Sequence, residues 1–210
     1  MHVIEIFESI QGETTHAGRP CVFVRFAGCN LRCRYCDTSY AFQGGTRMER
    51  AQILATLGRF KSRFVTLTGG EPLLQKELPA LCSDLLAAGW EVSVETHGQL
   101  DAAAIPPGVH RIFDLKTPGS GAEDHSFVNL RSVRPEDELK VVVTSEADFG
   151  WAVEVVRRFE LEGRLPIVFS PAFGAVESRE LVRWLLEVGL EARVGLQLHK
   201  YIWGSDVTGV

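Results

Sequence analysis

Short runs of apolar and β-branched residues recur along the chain. They fall at CVFVRFA (21–27), FVTLTG (64–69), EVSVET (91–96), RIFDLK (111–116), LKVVV (139–143), LPIVF (165–169) and ARVGLQL (192–198). Most are continuous rather than alternating, as strands of a parallel sheet covered on both faces are. Between them lie segments with helical spacing of apolar positions, at 47–60, 76–89, 146–163 and 178–189. Three of these end at or near a glycine, a common helix stop. Strand and helix in alternation predict βαβ units about a parallel sheet, open or curled into a barrel. The turn-rich stretches IPPGVH (105–110) and KTPGSGAEDHS (116–126) read as loops within one domain spanning 1–210.

Composition narrows the setting. The 210 residues are 45% hydrophobic and 23% charged, enough for one sizeable core. A net charge of -5 offers no basic field for nucleic acid. No stretch approaches the roughly 20 apolar residues of a membrane span. The opening MHVIEIFESIQGE lacks the basic region and apolar run of a secretory signal. The expectation is a cytoplasmic protein with neither nucleic acid nor membrane as partner.

Five cysteines change the picture, at 21, 29, 33, 36 and 82. An odd count in such a chain points to metal or redox chemistry rather than a disulfide framework. Cys21 and Cys82 sit in apolar patterns and read as small buried hydrophobes. Cys29, Cys33 and Cys36 share one loop as C-x3-C-x2-C, with no obvious fourth ligand and His16 beyond a predicted strand. A structural zinc site closes with four ligands. Three thiolates suit an iron–sulfur cube with one iron left open, and the spacing favours that reading without excluding zinc. Ligands of parallel α/β folds gather at the C-terminal strand ends. There lie the cysteine loop, TGGEP (68–72), ETHG (95–98), DLKTPGSG (114–121) and SPAFG (170–174).

The cysteine motif, with Tyr35 before its third cysteine, and TGGEP together resemble the radical S-adenosylmethionine superfamily. More narrowly, the chain resembles the 7-carboxy-7-deazaguanine synthase family. FESIQGE (7–13), CVFVRFAGCNLRCRYCDTSYA (21–41), TGGEPLLQ (68–75), VETHG (94–98), ELKVVV (138–143) and QLHKYIWG (197–204) carry the likeness. The resemblance implies a partial (βα) barrel with parallel strands and few helices. It implies a [4Fe-4S] cluster on Cys29, Cys33 and Cys36 whose open iron chelates S-adenosylmethionine. A 5′-deoxyadenosyl radical would then take hydrogen from 6-carboxy-5,6,7,8-tetrahydropterin, and ring contraction with loss of ammonia would give 7-carboxy-7-deazaguanine. An electron donor such as flavodoxin and a homodimer are expected on the same ground.

Residue roles follow from the resemblance. Thr38 would ligate Mg²⁺ shared with the substrate carboxylate, with Asp37 beside it. Gly70, Asp114, Leu115 and Lys116 would bind S-adenosylmethionine, although Asp-Leu-Lys stands where the family often has Ser-Pro-Lys. Ile10, Gln11, Gly12, Arg25 and Thr68 would bind substrate, with Glu95 a further candidate, Ser170 placed near the cofactor, and His199 and Lys200 closing the site from the last strand. Arg25 interrupts an apolar strand, where an unpaired charge is costly. Its partner is either the substrate carboxylate or an internal glutamate. The rival functions are an activase making a glycyl radical on a protein partner and a zinc-binding interaction domain.

Overall fold

The apolar runs become strands of one open sheet. The computed structural model describes residues 1–205 and 207–209. Among these, the nine strands are β1 (His2–Ile10), β2 (Pro20–Phe26), β3 (Thr46–Arg47), β4 (Phe64–Gly69), β5 (Glu91–Thr96), β6 (Val109–Leu115), β7 (Glu138–Val143), β8 (Ile167–Pro171) and β9 (Arg193–Val194). Their order is β3-β1-β2-β4-β5-β6-β7-β8-β9. From β2 to β9 every pairing is parallel, while β1 lies antiparallel to β2 and β3. β3 and β9 remain edges, so the α/β sheet is a partial barrel. Helices α1 (Arg50–Leu57), α2 (Leu78–Ala87), α3 (Glu146–Arg158) and α4 (Ser178–Val188) pack outside it, and α5 (Leu198–Trp203) ends the fold. Among the described residues no helix is long and apolar enough to cross a membrane.

Three departures from the sequence reading have physical causes. Strand β1 carries Glu5, Glu8 and Ser9 among its apolar residues, as a strand next to the sheet edge does, so it lacks the continuous signal of its neighbours. The helix expected over 47–60 starts only at Arg50, because Thr46–Arg47 pairs with β1 and Glu49 forms a capping box with Gln52. The last strand shrinks to Arg193–Val194, and the chain from Leu198 turns helical instead. His199 and Lys200 therefore reach the site from α5, not from a strand.

Period-two alternation divides every strand between two environments. One set, including Val22, Val24, Leu67, Val94, Leu139 and Val141, packs outward with Leu81, Leu85, Phe149 and Trp184 in the main core. Burying such a side chain stabilises the fold by roughly 1.5–3 kcal/mol. The other set faces the barrel interior and includes Arg25, Thr68, Glu95, Asp114 and Lys140. Register aligns them, with Arg25 beside Thr68 and Asp114 beside Lys140. Polar side chains in the interior of a sheet are costly, so this face is built for something other than stability.

Candidate active site

The inward set lines a cavity of about 660 Å³ toward the C-terminal strand ends. The loop after β2 runs along it and contributes Cys29, Cys33, Tyr35, Cys36 and Thr38. Backbone bonds pin that loop: Gly28 N donates to Ala41 O at 2.8 Å, and Arg34 N to Ser120 O at 2.8 Å. All three cysteines are free and partly exposed. Cys21 and Cys82 are fully buried, and Cys21 Sγ lies 3.1 Å from Thr66 Oγ1 below the cavity. Among the described residues no three His, Cys, Asp or Glu side chains converge as one bound ion requires. An iron–sulfur cube gives each thiolate its own iron, so the three thiols need only share a wall. A soft donor set on one cavity wall, with open volume beside it, fits such a cluster.

Beside the first cysteine stands the glycine loop. Gly69 has φ +141°, and a Cβ there would lie 2.3 Å from Phe26 O. A Cβ on Gly70 would lie 2.1 Å from Gly28 O. Glycine is thus required by the approach of the protein's own backbone, whatever ligand Gly70 also meets. The two loops are stitched by Gly70 N to Phe26 O at 3.0 Å and Glu71 N to Gly28 O at 2.7 Å.

The interior charges form a chain. Lys140 pairs with Glu13 and lies 3.7 Å from Asp114, whose Oδ2 is 2.9 Å from Lys116 Nζ. Burial opposes the charge on Lys140, but Glu13, Asp114 and Glu95 outweigh it and hold its pKa well above the ordinary value. Burial likewise opposes ionisation of Asp114, and Lys116 with Lys140 overcomes it, so its carboxyl sits below the usual range. Asp114 Oδ1 has no hydrogen-bond partner among the described residues. Burial pushes Glu95 up, with Lys140 countering in part. Leu115 follows strand parity and points away, into the hydrophobic core. Its side chain therefore has no part in the cavity.

The residues expected on the substrate side are gathered here, with one revision. Ile10, Gln11, Gly12, Arg25 and Thr68 all line the cavity. The Gln11 amide, however, already donates to Glu95 Oε1 at 2.9 Å and Thr66 Oγ1 at 3.2 Å. Its main chain is also bonded, to Arg19 and Gly18. Gln11 thus positions Glu95 more than it offers itself. Thr68 Oγ1 is 3.4 Å from Glu95 Oε2. Arg25 Nε finds an internal partner, Glu5 Oε1, at 2.6 Å. A Cβ on Gly12 would strike the His199 ring, and Leu198 N donates to Gly12 O at 2.9 Å, so α5 docks on this turn. Lys200 Nζ reaches Asp37 Oδ2 at 3.2 Å, and Thr38 Oγ1 donates to Asp37 Oδ1 at 2.9 Å. Ser170 is fully buried and does not line the cavity.

Four contributors escaped the sequence reading. Glu13 and Lys140 were visible as charges within IQGE and ELKVVV but were not singled out. Glu71 and His97, on the loops after β4 and β5, form a buried pair at 3.2 Å that only strand adjacency reveals. Burial pushes the Glu71 carboxyl up to about 7 and the His97 ring down to about 4.

Residues 23–164 match the Radical SAM superfamily. Over its whole length the chain is 44% identical to the 7-carboxy-7-deazaguanine synthase of Chlorobaculum tepidum, covering 97% of that protein. It is 40% identical to the synthase of Koribacter versatilis, with both chains covered fully. The crystal structure of QueE from Escherichia coli shares the fold at a TM-score of 0.78, with 94% of each chain covered and 23% identity. Streptococcus suis SuiB bound to S-adenosylmethionine is a more distant likeness, at a TM-score of 0.58 and 12% identity over 86% of this chain and 53% of that one.

Proposed function

We propose a ring-contracting reaction for this chain, because it belongs to the 7-carboxy-7-deazaguanine synthase family of the Radical SAM superfamily. It is an enzyme that converts 6-carboxy-5,6,7,8-tetrahydropterin to 7-carboxy-7-deazaguanine with release of ammonia, on the route to queuosine. Its cofactors are a [4Fe-4S] cluster and S-adenosylmethionine. The observation that carries this reading is the set of three free thiols on one wall of a charged cavity, with the glycine loop stitched to their loop at Gly28.

Cys29, Cys33 and Cys36 would hold the cluster, which when bound supplies the electron that cleaves S-adenosylmethionine and starts radical chemistry. Gly70, the main chain of Leu115, and the Asp114 and Lys116 side chains would orient that cofactor. The unpartnered Asp114 Oδ1 favours a donor on the ligand as its complement. Glu5 takes Arg25 Nε and fixes the guanidinium plane, leaving the terminal nitrogens as a fork for the substrate carboxylate. Ile10, Gly12 and Thr68 would border the pterin ring, and Gln11 would hold Glu95 toward it. Thr38 would offer its hydroxyl to Mg²⁺, a hard ion that prefers oxygen and keeps waters, with Asp37 held nearby by Lys200. The surrounding strands exclude solvent from a reactive intermediate.

One domain over 1–210 is part of the same proposal. So is a cytoplasmic setting, where thiols stay reduced, and a one-electron donor such as flavodoxin. A homodimer is supported by Tyr201, Ile202 and Trp203, all exposed on α5. Metal and sulfide analysis with an absorption spectrum after anaerobic purification tests the reading. Iron, sulfide and a brown chromophore are expected; zinc without a chromophore would overturn it.

A further inference from the structure

We propose that His97 is a positioning residue for the cysteine loop, holding Asn30, and with it Cys29, in register with the glycine loop through the buried Glu71 carboxylate. The inference rests on the cofactor reading above, which puts the cluster on one of these loops and S-adenosylmethionine on the other.

Glu71 grips both neighbours of Cys29. Its main-chain N–H donates to Gly28 O at 2.7 Å. Its carboxylate reaches Asn30 through His97: Glu71 Oε2 accepts from the His97 main-chain N–H at 2.9 Å and packs 3.2 Å from the ring Nε2, which meets Asn30 Oδ1 at 2.9 Å. The ring tautomer is set by hydrogen bonding: Gln99 N donates to His97 Nδ1 at 3.0 Å, so the ring proton sits on Nε2 and is donated to Asn30 Oδ1. The carboxylate is itself immobilised. It accepts from Leu73 N, Thr96 Oγ1 and His97 N, each at 2.9 Å.

Burial separates the two ends of this relay. The His97 and Glu71 side chains are 4% and 0% exposed, whereas Asn30 is at the surface. An exposed amide is satisfied by water and needs no protein partner. The consequence of its bond to His97 is therefore where the loop sits, not whether a polar group is paired. The flanking cysteine is the first of the three thiols, and the loop it meets carries Gly70. A rigid link between them sets the separation of cluster and cofactor, the geometry on which reductive cleavage depends.

The test uses reconstituted holoenzyme with His97→Leu, His97→Gln and Asn30→Ala. Leucine fills the space without a donor, and glutamine restores an N–H at a similar reach. All three should retain the iron content of the wild type. His97→Leu should raise the KM for S-adenosylmethionine about tenfold and Asn30→Ala about threefold, as loss of a buried and an exposed hydrogen bond would. The change that S-adenosylmethionine induces in the electron paramagnetic resonance spectrum of the reduced cluster should shrink in both and return in His97→Gln. Asn30 lies outside the core, so its variant reads the link without disturbing folding. A wild-type KM and spectral change in Asn30→Ala would overturn the proposal. No such spectral change in the wild type would instead overturn the cofactor reading, and this inference with it.

Discussion

Glu5 and Arg25 face each other as partners across β1 and β2, with Arg25 Nε 2.6 Å from Glu5 Oε1. Tyr40 donates its hydroxyl to the same oxygen at 2.8 Å, and the rings of Phe7 and Tyr40 flank the guanidinium, each 5.8 Å from its carbon. Register alone thus delivers an acid to the charge that interrupts the apolar strand, and the guanidinium is oriented before any substrate arrives. Arg25→Ala should weaken substrate binding by about 2–5 kcal/mol if the substrate carboxylate is left unpaired. Glu5→Gln, which keeps a neutral acceptor, should cost about 1 kcal/mol. Substrate KM measured beside uncoupled 5′-deoxyadenosine release checks both. Equal loss of the two activities would mean that Arg25 serves the fold alone.

The hydroxyl of Thr38 gives a second prediction. Thr38→Ala should reduce turnover about tenfold or more and blunt its dependence on Mg²⁺, while the cluster spectrum stays unchanged. Thr38→Ser should retain most activity because the oxygen remains. A wild-type magnesium titration in the alanine variant would reduce Thr38 to a residue of the turn.

The pair of Lys140 and Glu13 is nearly buried, with side chains 9% and 12% exposed. Lys140→Met should destabilise the apo protein by about 3–5 kcal/mol, since Glu13 and Asp114 lose their shared counter-charge. Adding Glu13→Gln should recover part of that loss. Denaturant midpoints of the two variants decide the matter, and a drop below about 1 kcal/mol in Lys140→Met would show that solvent screens the pair.

His97 makes stability depend on pH. Its folded pKa is about 4 against 6.5 in the unfolded chain, so between those values the unfolded state binds more protons. Stability from this group is present above 6.5 and is lost as the pH falls toward 4. The whole span amounts to about 3 kcal/mol. Glu71, raised to about 7, acts with the opposite sign over this range, so the ring is read as a difference: between pH near 7 and near 4.5 the stability of the apo wild type should fall relative to that of His97→Gln in chemical denaturation. Parallel losses would contradict the assignment.

Residues differ in how far the sequence disclosed them. The central strands were legible because their buried faces leave continuous apolar runs, while β1, an outer strand with interspersed glutamates, lacks that signal. α5 was missed because the last apolar run ends at its first residue, and the six residues Leu198–Trp203 are too few to show a helical period. Leu115 was assigned by likeness to a motif, although strand alternation between Asp114 and Lys116 already turns its side chain outward. The three cysteines stood out through their spacing, and TGGEP through its place at a strand end and its resemblance to a glycine-rich motif. The Glu71–His97 contact was not, because it depends on β4 and β5 lying side by side, which no local pattern encodes.

If Cys29, Cys33 and Cys36 hold the cluster that starts ring contraction of the pterin, they alone of the five cysteines are needed for turnover. The most direct measurement is anaerobic turnover of 6-carboxy-5,6,7,8-tetrahydropterin with S-adenosylmethionine and a reductant, read as 7-carboxy-7-deazaguanine by mass spectrometry. Wild type, Cys21→Ala and Cys82→Ala should form the product, and alanine at Cys29, Cys33 or Cys36 should abolish it. No deazaguanine from the wild type, or full turnover by Cys33→Ala, would contradict the account.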